Sequence, residues 1–235
     1  MLHVQLPDHT VRRLSFYLAM EEYVAQEMMS DEAFFMWQVE PSVIFGLNQV
    51  VENEVNIPYC RQHGIQMYRR KSGGGCVYAD MSNVMLSYIC SDTNVDATFA
   101  RYMTMFAEAL CRLGFPAQKN DHNDIMIDNR KVSGNAIYHL PHRNIAHGTL
   151  LYDTNMEHML NAITPPHEKL SKHGVESVRQ RICLLSEYTD RPFADIIQAL
   201  QDLLCTSTRI LTDADIAQIE EIEKEYLDPA FIFRK

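Results

Sequence analysis

Four stretches of the chain hold residue types that could do chemistry: RRKSGGG at 69–75, NDIMIDNRK at 123–131, SGN at 133–135 and HGT at 147–149. In the first, Gly73, Gly74 and Gly75 remove successive Cβ atoms, so backbone N–H groups can converge on an anion beside Arg69, Arg70 and Lys71. A phosphate or carboxylate cradle is one reading of that run, and a flexible hairpin tip is the other. The spacing matches neither a P-loop nor a dinucleotide fingerprint. Asp124 and Lys131 stand seven positions apart around an expected turn at Asn129-Arg130, so a hairpin would bring acid and amine to one cleft. Such a pair suits nucleotide activation. Asp124 would hold Mg²⁺ against phosphate oxygens, and Lys131 would stabilise charge as a carboxylate attacks the α-phosphorus. The alternative is an exposed cross-strand ion pair. His147 taken alone reads as a core histidine beside a turn glycine. Arg179 and Arg181 alternate after Lys169 and Lys172, as a solvated face or as a mobile anion-binding flap.

Periodicity supplies the elements that must position these groups. Apolar residues from Arg12 to Met28 recur at helical spacing, as do those from 95 to 113 before Gly114. AFFMWQVE, SVIFG and IQMYRR read as strands, with a short helix between Pro58 and Gly64. CVYAD and NVMLSYIC continue as strands, which makes the glycine run a connection inside a sheet. DIMID, KVSGNAIYHL and HGTLLYD are strands, and His139 and His142 fall in a loop beside Pro141. NMEHMLNAI is helical, and the helices in ADIIQALQDLLC and DIAQIEEIEKEYL carry excess acid on exposed faces. Helices and strands that do not alternate indicate an α+β fold.

Composition narrows the function. The 235 residues are 46% hydrophobic and 22% charged, with a net charge of −10, so the overall field does not favour nucleic acid or anionic lipid. Basic chemistry must be local. No apolar run is long enough to span a bilayer, and a cytoplasmic location is expected. Six cysteines without a C-x-x-C pair point to small core hydrophobes rather than to zinc. The absence of repeats and linkers predicts one domain over 1–235.

In order, RRKSGGGCVYAD, NDIMIDNRKVSGNA, HGTLLYD and KLSKHGVESVRQRICLLSEY resemble the motifs of the lipoate–protein ligases, with PSVIFGLNQVVENEVN similar to the segment before the glycines. The likeness spans roughly residues 12 to 190. It implies a catalytic domain of the biotin/lipoate ligase type, a mixed sheet flanked by helices, that uses ATP and Mg²⁺ to convert lipoate to lipoyl-AMP. The acyl group then passes to a lysine of a lipoyl carrier domain, in E2 subunits of 2-oxoacid dehydrogenases or the glycine cleavage H protein. By motif position Arg70, Gly73, Gly74, Gly75 and Cys76 form the lipoate-side loop, with Ser72 and Tyr78 as further substrate- or adenylate-binding residues, and Cys76 stands where the family commonly has alanine. Lys131 would contact the acyl-adenylate as the catalytic group, with Asn123, Asp124, Ser133, Gly134, Asn135, His147, Gly148 and Thr149 around the pocket. Residues 174–181, including Arg179, correspond to a loop that closes on the adenylate.

Full-length members of the family carry a further small C-terminal domain, and EKEYLDPAFIFRK resembles the end of the catalytic domain. The expectation is a chain without that accessory domain, either helped by a separately encoded partner or limited to transfer from preformed lipoyl-AMP. An amidotransferase of the same fold acting through a cysteine thioester is the runner-up, with Cys76 as its nucleophile, because no cysteine lies between Cys111 and Cys183. A non-catalytic carrier- or ligand-binding protein is the third reading.

Overall fold

The computed structural model of the chain describes residues 1–27, 30–163 and 181–234. Its first half contains β1 (Leu2–Gln5), α1 (Leu14–Glu27), β2 (Glu32–Trp37), β3 (Ser42–Phe45), α2 (Val51–Glu54), α3 (Ile57–Gln62), β4 (Gln66–Arg69), β5 (Cys76–Ala79) and β6 (Asn83–Cys90). The second contains α4 (Val95–Arg112), β7 (Gln118–Lys119), β8 (Asp124–Ile127), β9 (Arg130–Leu140), β10 (Arg143–Leu151) and α5 (Met156–Ala162). After these come α6 (Phe193–Leu204), β11 (Ser207–Ile210), α7 (Asp213–Leu227) and α8 (Pro229–Ile232).

Eight strands form a mixed sheet in the order β11-β1-β2-β6-β10-β9-β8-β7, and a second sheet runs β4-β3-β5. The expected mixed sheet with flanking helices is what the chain forms. Period-two alternation gives the large sheet two apolar faces. Phe34, Leu86 and Tyr88 pack with Tyr102, Phe106 and Leu110 of α4 and with Ile196 and Leu200 of α6. Phe35, Trp37, Met85 and Ile89 point the other way, into a core shared with α1 and α7. The small sheet builds a third core with α2, α3 and α5 around Val43, Phe45, Val51, Cys60 and Ala162.

Helix α1 is buried on every side from Leu14 to Ala25, so its mid-helix acids Glu21 and Glu22 are buried with it. Carboxylates so placed require partners. Those partners turn out to shape the site.

The β8–β9 hairpin turns at Asp128-Asn129, with φ of 49° and 61°, rather than at the expected Asn129-Arg130. Asn and Asp tolerate this left-handed geometry, whereas Arg130 is already paired with Ile127 in the ladder. A register shift follows, in which Ile125 pairs with Ser133 but Met126 pairs with Lys131. The extra residue, Val132, matters for the site. In an unbroken strand Lys131 and Gly134 would face opposite sides, but the bulge puts both on the face shared with Asp124.

Other expectations shift in detail. Helix α1 begins at Leu14, not Arg12. Strand β1 and the edge strands β7 and β11 were not anticipated, because β7 has two residues and all four residues of β11 are exposed. His139 lies inside β9, bonded to Asn144, and only Pro141-His142 form the turn. Two acids of α7 are buried instead of exposed: Glu223 binds Arg13 and Ser15, and Asp215 binds Tyr23 and caps its helix with Thr212. Cys60, Cys90 and Cys183 are core residues as expected, while Cys111 is exposed, and all six cysteines are free. No helix among the described residues is long and apolar enough to cross a membrane. The expected flap at 169–181, apart from Arg181, lies outside the described residues, as does Arg179.

Candidate active site

The three cations before the glycines are engaged by the protein itself. Arg69 is fully buried, and its guanidinium donates to six main-chain carbonyls: Phe231, Ile232, Arg234, Gly46, Leu47 and Gln49, at 2.8 to 3.2 Å. Arg70 donates to the carbonyls of Ile44, Gly73 and Gly75, and burial lowers its pKa to about 10. Lys71 bridges Glu22 of α1 and Glu225 of α7 at 2.9 and 2.8 Å. These bonds fix the loop's shape. Gly74, at φ 91°, closes over Gly46 so tightly that a Cβ on Gly46 would stand 2.2 Å from the Gly74 carbonyl oxygen.

Behind the loop runs a buried relay. Ser72 Oγ lies 2.6 Å from His147 Nε2, and His147 Nδ1 lies 2.9 Å from Glu21 Oε2. Glu21 Oε1 accepts from Ser87 at 2.6 Å, and Ser87 accepts from Trp37 Nε1 at 2.9 Å. The carboxylate of α1 thereby fixes the loop through Ser72 and the indole through Ser87. His147 is therefore a core histidine with a positioning task, since it also lines the cavity.

That cavity, of about 200 Å³, lies between the two sheets under the glycine loop. Leu18, Trp37, Ile44, Val77 and Met85 make it apolar on one part of its lining, while Asn123, Lys131 and Asn135 supply polar groups on another. Trp37 is held flat by Tyr17, the rings stacking at 4.7 Å. Lys131 Nζ is 2.6 Å from Asp124 Oδ1, and its chain folds across Gly134, where a Cβ would come within 2.6 Å of it. Asn135 and Asn123 clasp each other, side-chain amide to main-chain carbonyl, at 2.7 and 3.1 Å. Asn135 Oδ1 also accepts from Tyr102.

Of the residues singled out by sequence, Arg70, Gly74, Gly75, Cys76, Asn123, Lys131, Gly134, Asn135, His147, Gly148 and Thr149 line this cavity. Ser72, Gly73, Tyr78, Asp124 and Ser133 do not. Ser72 sits beneath the loop, Tyr78 belongs to the third core, and Ser133 is fully buried beside Asn135. Asp124 reaches the site through Lys131. Burial pushes the Cys76 thiol far above its ordinary range, so it rests as a thiol and is a poor nucleophile. Sequence reasoning missed Glu21, Trp37 and Ser87. Adjacent acids in the middle of an otherwise apolar helix were the available signal for Glu21.

A metal fits here only in company. Among the described residues no group of three ligating side chains converges, and Asp124 is the single carboxylate beside the cavity's lysine. Mg²⁺ often binds through one carboxylate together with substrate phosphates, so Asp124 suits an ion that arrives on a triphosphate. The arrangement can hold an apolar tail ending in a carboxylate and neutralise anionic oxygens beside Lys131.

A sequence model of the lipoyl protein ligase A/B catalytic domain matches residues 14–205. Lipoate-protein ligase LplJ of Bacillus subtilis is 35% identical over 175 residues, covering 74% of this chain and 53% of that protein. Lipoate–protein ligase 1 of Staphylococcus aureus is 34% identical over 217 residues, 88% of this chain and 66% of its own length. The chain thus spans between about half and two thirds of these relatives. Among solved structures, the bi-partite lipoate protein ligase of Thermoplasma acidophilum, described with its E2 lipoyl domain, superposes with a TM-score of 0.87. It is 23% identical, over 99% of this chain and 95% of that one, and so speaks to the fold. By the extent of the family match, this chain belongs to the lipoyl protein ligase A/B catalytic-domain family.

Proposed function

We propose that the chain activates lipoate with ATP and transfers the lipoyl group to a lysine of a carrier domain. The observation that carries this reading is Lys131 on the polar lining of a cavity that is otherwise largely apolar. An acid with a hydrocarbon tail would bury the tail against Leu18, Ile44, Val77 and Met85 and bring its carboxylate towards the ammonium.

In the first step a carboxylate oxygen attacks the α-phosphorus of ATP, pyrophosphate leaves, and the acyl-adenylate forms. Lys131, oriented by Asp124, neutralises the oxygens that crowd together there, an interaction that strengthens as charge develops. In the second step the amine of a carrier lysine attacks the acyl carbonyl, AMP departs, and the ammonium proton is lost to solvent. Holding the tail in the cavity limits the access of water to the reactive mixed anhydride and orients its carbonyl. Mg²⁺, carried on the triphosphate beside Asp124, would add further charge neutralisation.

Apo lipoyl domains of E2 subunits and the glycine cleavage H protein are the acceptors we propose, acting in the cytoplasm, where six free cysteines persist. The thioester alternative finds no support in the Cys76 environment. The test mixes purified protein with lipoate, ATP, Mg²⁺ and an apo carrier domain and follows the carrier by intact mass, with a parallel arm given lipoyl-AMP. Modification in both arms supports the full reaction. Modification only with lipoyl-AMP indicates that activation needs a separate accessory protein, and no modification in either arm refutes the proposal.

A further inference from the structure

We infer that residues 225–234 set the shape of the loop that walls the cavity, with Arg69 and Lys71 as the positioning residues that carry the effect. The inference rests on the proposed function only for the identity of its ligand. Its basis is a continuous chain of contacts. The Arg69 guanidinium binds the carbonyls of Phe231, Ile232 and Arg234 on one side and those of Gly46, Leu47 and Gln49 on the other. Segment 46–49 in turn grips the glycine loop: Leu47 N–H donates to Ser72 O at 2.9 Å, and Gln49 Nε2 donates to Gly74 O at 3.1 Å. Gly74 and Gly75 line the cavity.

A second tie runs in parallel. Lys71 joins Glu225 of α7 to Glu22 of α1 and lies over the Tyr226 ring at 5.0 Å. The neighbouring acid on α1, Glu21, holds His147 and through it Ser72. Both ties begin at α7–α8 and end on the same loop.

A buried guanidinium is an expensive fastener unless it is well satisfied, and here each of its three nitrogens donates to a carbonyl of one of two segments distant in sequence. Neither segment can shift without leaving part of the guanidinium unpaired. Displacement of 225–234, by a partner or an adjoining domain, would therefore be transmitted to Gly74 and Gly75 and alter acid binding. ATP contacts near Lys131 would be unaffected, because Lys131 hangs on the separate β8–β9 hairpin.

The experiment uses Arg69→Lys, which keeps the charge but cannot span both sets of carbonyls, and Lys71→Gln, which is partly exposed and threatens folding less. Hydrogen exchange at the Leu47 and Arg70 amides, both bonded within the loop scaffold, is read in the ligand-free protein, with the Ile89 amide of β6 as internal control. The expected result is exchange faster by about tenfold at Leu47 and Arg70 with Ile89 unchanged, together with a similarly weakened lipoate Kd and an unchanged ATP Kd. Unchanged loop exchange in a folded variant overturns the inference, as does equal weakening of lipoate and ATP. If the unaltered chain binds no lipoate, the functional proposal fails, and the exchange data still decide the coupling.

Discussion

Gly148 of β10 faces Asn135 of β9 directly, and a Cβ on the glycine would stand 1.9 Å from Asn135 Oδ1 and 2.9 Å from the Tyr102 hydroxyl. Neither neighbour can retreat cheaply, because Asn135 is clasped to Asn123 and accepts from Tyr102. Gly148→Ala is therefore expected to destabilise the fold by about 1–3 kcal/mol, the usual range for overpacking, and to disturb the cavity wall beyond that. Denaturant titration beside lipoate binding checks it. A variant as stable as the unaltered chain, with normal affinity, would show that the asparagine clasp yields freely.

Lys131 can be removed without wrecking the fold, since its side chain is 38% exposed and half-exposed ion pairs contribute little stability. Lys131→Ala should slow carrier lipoylation about 10²–10³-fold, the range for losing one charge-stabilising donor, with little change in melting temperature. Gly134→Ala retains the amine but pushes it aside, because the new Cβ would fall 2.6 Å from Nζ and Cε. It should therefore slow the single-turnover rate in the same direction, by less. Normal rates in both variants would remove Lys131 from the mechanism.

Periodicity exposed α4 and the β6 and β10 strands because each has a face that must be apolar, and Gly114 at φ 96° marks the end of α4 as its residue type predicts. Strands whose pairing comes from the far end of the chain leave no such trace. On one side β1 pairs with β2, but its longer ladder is with β11, some two hundred positions away, and no β11 side chain is buried to betray it. The site divides the same way. Lys131 and the glycine run were visible as local motifs, whereas Glu21 and Trp37 gain their roles only when α1 crosses behind β6 and β10. The cations of the glycine loop show the limit of local reasoning. Arg69 and Lys71 look like an anion site until the carbonyls and acids that surround them are brought in from residues 225–234.

Cys76 lines the cavity with its thiol held protonated by burial. Iodoacetamide at mildly alkaline pH should modify exposed Cys111 well before Cys76, and Cys76→Ala should leave transfer from lipoyl-AMP nearly intact. Peptide mapping of the alkylated protein reads the first and carrier mass the second. Fast labelling of Cys76 together with loss of transfer in the alanine variant would reinstate the thioester route.

His3 of β1 is buried, its Nδ1 has no hydrogen-bond partner among the described residues, and burial lowers its pKa below the ordinary 6.5. The sign follows from proton counting. Below pH 6.5 the unfolded chain takes up a proton on this imidazole that the folded chain refuses, so the unfolded state binds more protons and stability falls with falling pH. The loss continues until the folded-state pKa is reached, and below that the penalty is constant. Above pH 6.5 the group contributes no slope. Other histidines and carboxylates titrate in the same acid range, so the measured quantity is a difference: unfolding free energy of the unaltered chain minus that of His3→Leu, followed from pH 8 downwards by urea titration, about three points per pH unit. The difference should be flat in the alkaline part and turn against the histidine protein as the pH drops through 6.5. A difference that stays flat throughout would mean that the imidazole finds a proton acceptor in the folded state. A slope of opposite sign would mean that it is stabilised as a cation.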